Sequence, residues 1–310
     1  MQATEKAYKP ASRQKEIRAD RVFNWVVMIC VVLVLAITLY PLYLVVICSF
    51  SDATLVTSGQ VTLYPRGITW DGYNAVLQNR EIWRSYANSI FYTLSGTLIS
   101  LVVTMGAAYT LSDKFPGKTL ISFLFAFTMF FNGGMIPTFL TVRDVGLYNT
   151  PWVCVIMGCV SVWNIMLART YITSTIPKAL YEAANLDGAS QLQYFIQIVV
   201  PLSGTIIAVL SVYYGVAKWN DYWTGLIYLN NRSLLPLQTI LRETLASLEA
   251  SRDLLMSMVS DNAAMDAEVL NRAQIAKYCI IVVSTLPAII LYLCMQKFFV
   301  KGVMIGSIKG

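Results

Sequence analysis

Few residues of this 310-residue chain are equipped for chemistry. It has no histidine, which removes imidazole acid–base catalysis, histidine metal ligation and histidine-bound haem. The six cysteines, Cys30, Cys48, Cys154, Cys159, Cys279 and Cys294, all lie in apolar stretches without metal-ligand spacing. They read as small apolar side chains, not as disulfides or ligands. Gly117-Lys118-Thr119 looks like the end of a phosphate-binding loop, but Ser112 stands where that pattern needs its first glycine. Glu182 and Asp187 are five residues apart, about 140° around a helix, so they do not form a facing pair of carboxylates. What remains suits binding. Trp219 and Trp223 have helical spacing, with Asn220 and Asp221 between them. Indole faces can stack on sugar rings while amides and carboxylates bond hydroxyls. Tryptophans also gather at the membrane–water interface, and that reading stands beside the first. No catalytic residue and no metal site is expected.

The elements that must carry these residues are membrane helices. Hydrophobic residues make up 56% of the chain and charged residues 13%, against roughly a quarter charged in a soluble domain. Crossing a bilayer takes about 20 mostly apolar residues. Six charge-free windows are that long or nearly so: Val22–Ser51, Ser85–Ser112, Thr119–Val142, Val145–Ala168, Gly188–Ala217 and Tyr278–Gln296. Pro41, Pro137 and Pro287 fall inside three of them, as bundles tolerate when neighbours satisfy the freed carbonyl.

Lys6, Lys9, Arg13, Lys15, Arg18 and Arg21 precede the first window. The apolar run that follows is too long for a signal peptide and lacks a small-residue cleavage site. An uncleaved first helix with a cytoplasmic N-terminus is therefore expected, and six crossings return the C-terminus to the same side. With that topology the inner segments carry a net +7 and the outer ones −1. The chain's net charge of +6 then reflects membrane orientation and not nucleic-acid binding.

No ionisable residue lies inside the six windows, whereas proton- or sodium-coupled carriers keep such relays in the membrane. If the chain is a transporter, its energy must come from elsewhere. Asn132, followed by Gly133-Gly134 and Pro137, suggests an opened helix exposing backbone acceptors, with plain close packing at the glycines as the alternative. Trp163 and Asn164 are further candidates for a cavity lining. Between windows, residues 51–84 read as loop and short helix. Leu234 to Met258 has helical periodicity, with Leu237, Ile240, Leu241, Leu245 and Leu248 on or near one face.

The segment 176–202 is more specific. Pro177 suits a first helical turn, Lys178 to Leu186 are mostly good helix formers, and Gly188 can end that helix with positive φ. Ser190 and Gln193 then form a capping-box pattern opening a second helix. An ordinary interfacial helix would fit this much. However, Glu182-Ala183-Ala184, then Gly188, then Ile198 and Val200-Pro201 resemble the EAA motif of ABC importer permeases, with Val200 where the motif has leucine. Asn132-Gly133-Gly134-Met135-Ile136-Pro137-Thr138, Trp219-Asn220-Asp221 and Phe299 to Gly306 are similar to maltose-type carbohydrate-uptake permeases, and most like the branch importing complex oligosaccharides.

That resemblance implies an all-α, six-helix type I importer permease in a bacterial cell membrane. A 1–21 cytoplasmic segment would lead into a 22–300 membrane domain, with extracytoplasmic segments near 51–84 and 228–274. A coupling loop would span 171–200 and a cytoplasmic tail 301–310. It implies a homologous second permease, two cytoplasmic ATPase subunits that bind ATP and magnesium, and an extracytoplasmic sugar-binding protein. The chain itself would hold no cofactor. Glu182 and Asp187 would be polar contacts to an ATPase, Ala183, Ala184 and Leu186 packing residues, and Gly188 the turn. Part of 228–240 would enter the binding protein's cleft, unless it caps the bundle. Asn132, Trp163, Asn164, Trp219, Asn220 and Trp223 remain candidates for the solute path. The alternatives are an ABC permease for peptide, amino acid or phosphate, and a stand-alone secondary carrier.

Overall fold

The structure is a computed structural model that describes residues 18–131, 133–257 and 263–306, and every regular element among them is helical. Helix α1 (Arg18–Ser49) is long and apolar. Asp52 accepts from the backbone N–H groups of Thr54 and Leu55 to start the short α2 (Ala53–Thr57), and α3 (Asp71–Gln78) follows. Asn79 caps α4 (Arg80–Ser112) by accepting from the Glu81 N–H. Next come α5 (Lys118–Phe130), α6 (Met135–Asp144), α7 (Pro151–Ile156), α8 (Val162–Thr175) and α9 (Lys178–Leu186). Helix α10 (Gln191–Tyr194) continues through a π turn at Phe195–Val199 into α11 (Val200–Leu202), and α12 (Gly204–Trp219) and α13 (Trp223–Tyr228) follow. The chain then forms α14 (Leu237–Ser257) and α15 (Ala263–Gly306).

Three of these helices are long and apolar enough to span a membrane: residues Asp20–Ser49, Arg80–Ser112 and Gln274–Cys294. Two bent pairs, α5 with α6 at 115° and the α10–α11 run with α12 at 79°, have the length and apolarity of a span when each is taken as one unit. The second bend falls at Ser203, where the helix breaks between α11 and α12, and the run before it carries a distortion of its own. Pro201 has no N–H for the Gln197 carbonyl and crowds it, so the backbone widens into the π turn just before it. The window Val145–Ala168 is not the single helix expected. Gly146 and Gly158 adopt φ +80° and +72°, Pro151 opens α7, and Ser161 starts α8 by accepting from the Asn164 N–H at 3.4 Å. Length and composition thus support three spanning helices among the described residues, or five when each bent pair is one span, and the Val145–Ala168 window holds α7 and the start of α8 around a break.

Helix α4 is the axis of the bundle, packed against α8 and α12. Ser85, Ser89, Gly96, Ser100, Thr104 and Ala108 are buried along it at nearly helical repeats, and such small residues let backbones approach closely. At one end Met105, Ala108 and Leu111 meet Ile165, Ala168, Leu210 and Tyr214. At the other end, Trp219, Leu237 and Ile275 pack with Val76 and Ile82. Helix α1 behaves differently, because every residue from Asp20 to Tyr43 is exposed. An apolar helix left bare over seven turns needs lipid or another protein around it.

Candidate coupling surface and solute path

Helix α9 is attached by one face and bare on the other. Ala184 is buried in the cluster formed by α4, α8 and α12, while Glu182, Ala183, Leu186 and Asp187 are exposed, Leu186 to 90%. A leucine that open at a helix end is a ready contact for another surface. The end itself is a Schellman motif: the Ala189 N–H donates to the Ala184 carbonyl at 3.0 Å and the Gly188 N–H to the Asn185 carbonyl at 3.2 Å. Gly188 holds φ +77°, as expected, with open space around it. The capping box of α10 also forms. The Ser190 N–H donates to Gln193 Oε1 at 2.8 Å, and the Gln193 N–H donates to Ser190 Oγ at 3.2 Å.

What fixes α9 to the bundle was not visible in the spacing. Tyr109 of α4 donates to Gln191 Oε1 at 2.6 Å, and Gln191 Nε2 donates to Tyr181 of α9 at 2.6 Å. Tyr181 also meets Tyr194 edge-on at 5.3 Å, and Tyr109 meets Phe195 at 5.0 Å. One amide thus ties three helices together. Neither Glu182 nor Asp187 makes an ion pair among the described residues.

The solute-path candidates separate. Asn132 lies outside the described residues, though Gly134 beside it has φ +88° and the chain does open between α5 and α6. Trp219 and Trp223 do not share a helix face, because α12 stops at Trp219 and α13 starts at Trp223. Trp219 is 4% exposed, donates Nε1–H to the Ser284 carbonyl at 3.0 Å, and packs edge-on against Tyr86 at 5.6 Å. Its ring is part of the core, with no face open to a sugar. Trp223 is exposed and stacks on Tyr222 at 5.0 Å, and Arg242 lies over the other ring at 4.2 Å. Asn220 is exposed, Trp163 is exposed, and Asn164 is buried. Asp221 caps α13, accepting from the Thr224 N–H and hydroxyl at 3.1 and 2.6 Å.

The segment 229–237 lies strapped to α4. Asn88 donates to the Ser233 and Leu235 carbonyls at 2.9 and 3.2 Å, Tyr92 to the Leu234 carbonyl at 2.9 Å, and the Leu237 N–H to Ser89 Oγ at 2.8 Å. Asn149, at φ 56°, accepts from the Asn230 and Asn231 N–H groups. Arg232 pairs with Glu81 and Glu243, and the neighbouring carboxylates raise its already high pKa.

Lys218 is the residue that sequence reasoning missed. It falls one position beyond an apolar window and belongs to no motif. It is buried, and its ammonium donates to the carbonyls of Cys154 at 3.0 Å, Val155 at 2.9 Å and Met157. These are carbonyls at the C-terminal end of α7 and the break after it. The positive charge sits where a helix leaves its carbonyls unpaired. Gly96 on α4 makes room, since a Cβ there would come within 2.9 Å of the lysine stem.

Comparison with known proteins places this arrangement. The family model described as binding-protein-dependent transport system inner membrane component matches residues 105–305. The chain is 33% identical over 302 residues to "Protein LplC" of Bacillus subtilis (strain 168), covering 94% of this chain and 97% of that protein. It is 32% identical over 292 residues to the polygalacturonan/rhamnogalacturonan transport system permease protein YtcP of the same organism, covering 94% and 99%. Among solved structures it is similar to a chain of a bacterial ABC transporter involved in the import of the acidic polysaccharide alginate, with TM-score 0.81 and 33% identity, covering 92% of this chain and 99% of that one.

Proposed function

The chain belongs to the binding-protein-dependent transport system inner membrane components, and from that premise we infer how its parts divide the work of import. It is a permease subunit of a bacterial ABC importer for carbohydrate, a membrane protein that transports and is not itself an enzyme. The finer assignment is our reading. The solute is an oligosaccharide, delivered by an extracytoplasmic binding protein to a pathway shared with a homologous second permease. Two cytoplasmic ATPase subunits bind ATP and magnesium and supply the energy. The N- and C-termini lie on their side, and six crossings separate the 51–84 and 228–274 segments from the 171–200 loop. The bare flank of α1 is the surface that lipid and the second permease cover.

Helix α9 is the coupling helix in this reading. Its exposed face, Glu182, Ala183, Leu186 and Asp187, meets an ATPase, while Ala184 and the Tyr109–Gln191–Tyr181 bridge pass motion to the bundle. The observation that carries the reading is this two-faced attachment: one side of the helix is tied through Gln191 to α10 and α4, and the opposite side presents a leucine to solvent. ATP binding draws the ATPases together, α9 moves with them, and the bundle changes its open side. Nucleotide and loaded binding protein must then favour the same state, which makes their effects reciprocal. Of the path candidates, Trp163, Asn220 and Trp223 retain exposed surface, and these together with Asn132 are the ones we assign to solute contact.

Glu182→Lys and Gly188→Pro test the assignment. In the assembled complex each abolishes sugar-stimulated ATP hydrolysis while membrane insertion stays normal. Stimulated hydrolysis at the unaltered rate refutes the role of α9.

A further inference from the structure

A cleft of about 560 Å³ opens beside α9, between the end of α4, the 113–117 turn and the end of α8. That volume is in the range of small-molecule sites, roughly 300–1,000 Å³. Its walls differ in chemistry. Ile172, Ile176 and Val199 give it an apolar side, while Lys114, Lys118 and Lys178 line it from two directions. Asp113 and Glu182 also line it, leaving a net charge of +1.

The donors are available. Among the described residues none of the three lysines is in an ion pair. Lys118 donates to the Asp113 carbonyl at 2.8 Å and to the Ser112 carbonyl at a long 3.5 Å. An ammonium has three donors, so at least one remains. Lys114 and Lys178 have no side-chain hydrogen bond among those residues. Asp113 is partly occupied, because its Oδ1 accepts from the Lys114 N–H at 2.7 Å. Tyr181 accepts from Gln191, which leaves its own O–H free to donate, and its ring forms part of the lining. A site with several cationic and phenolic donors beside an apolar wall fits a phosphate group carried on an apolar molecule. Basic pockets between membrane helices on the cytoplasmic side take phospholipid headgroups in this way.

We propose that this cleft binds the phosphate of an anionic phospholipid, held between Lys114 and Lys118 on one side and Lys178 of α9 on the other. The proposal rests on the reading that α9 faces the cytoplasm. A headgroup so placed joins the start of α5 to α9 by a ligand and adds a second tether beside the Gln191 bridge. Free phosphate shares the chemistry but would leave the apolar wall unused.

The test is calorimetric titration of the assembled importer in an uncharged detergent with dihexanoyl phosphatidylglycerol, dihexanoyl phosphatidylcholine and inorganic phosphate. Phosphatidylglycerol should bind at least tenfold more tightly than phosphatidylcholine. Lys114→Gln and Lys178→Gln should each weaken it about tenfold, and the corresponding arginine variants should retain it. Binding of inorganic phosphate as tight as that of phosphatidylglycerol would overturn the lipid source in favour of a soluble anion. Equal binding of the two lipids, or full binding by either glutamine variant, would overturn the site. Because binding is read directly, it is separable from the docking of α9: loss of lipid binding with Glu182→Lys still blocking hydrolysis rejects only the cleft, and the reverse pattern rejects only the docking.

Discussion

Replacing Lys218 by methionine keeps the length of the side chain and removes its ammonium. Two of its three acceptors, the carbonyls of Cys154 and Val155, are in buried hydrogen bonds, and the third, that of Met157, is part-buried. Hydrogen bonds to a charged group contribute about 1.5–3 kcal/mol each, net of exchange with water. Counting only the buried two gives a loss of about 3–6 kcal/mol. With an unfolding entropy of about 2.1 cal/mol/K per residue, 310 residues convert this to a fall in Tm of about 5–9 °C. The protein supplies its own reporter. Cys48, Cys154, Cys159 and Cys279 are buried, whereas Cys30 and Cys294 are exposed. In a Cys30→Ser/Cys294→Ser background, a thiol-reactive dye added during heating lights up only as the core opens. Lys218→Met should move that transition down by the stated amount. Gly96→Ala, which presses a methyl against the lysine stem and the Val155 carbonyl, should move it the same way. A change under about 2 °C, or a gain in stability, would refute the claim that this lysine holds the broken helix together.

Other perturbations separate packing from contact. Gly188→Ala meets no neighbour but must hold φ +77°, so it should cost only the left-handed strain, about 1–2 kcal/mol, seen as a small fall in the same thermal assay. Trp219→Ala opens a core cavity and should cost about 3–5 kcal/mol, whereas Trp223→Ala, at an exposed site, should leave Tm nearly unchanged and act, if anywhere, on transport kinetics. The Asp52 carboxyl is held below the usual carboxylate range by the Thr54 hydroxyl and the N–H groups it caps. Stabilisation from a depressed pKa is present above the unfolded value and lost as pH falls through the folded one. Protection of the Thr54 and Leu55 amides, taken relative to the intrinsic exchange rate at each pH, should therefore fall under acid conditions, below the ordinary titration of an aspartate, and Asp52→Asn should flatten that response.

Much of the architecture was legible because apolar length and capping chemistry are local. The window from Ser85 to Ser112 became the core of α4, Tyr278–Gln296 became part of α15, and Pro177, Gly188, Ser190 and Gln193 bounded their helices as expected. Failures arose where backbone geometry beats hydropathy. Val145–Ala168 is apolar enough for a span, yet Gly146, Pro151 and Gly158 cut it, and the carbonyls released there found Lys218 some 60 residues away in sequence. Trp219 and Trp223 would share a face on a continuous helix, but the chain turns at Asn220 and sends one ring inward and the other outward. The Gln191 bridge joins residues distant in sequence, which periodicity cannot register. The bounds of α9 were readable in the sequence; its fastening was not.

ATP-driven uptake of labelled oligosaccharide tests the account most directly. Proteoliposomes would hold this chain with its sister permease and the ATPase pair, with nucleotide on the ATPase side and the binding protein on the other. Uptake should require ATP and the binding protein together, and should stop when Glu182→Lys is introduced. Accumulation that proceeds without the ATPase subunits, or transport of amino acids in place of sugar, would contradict it.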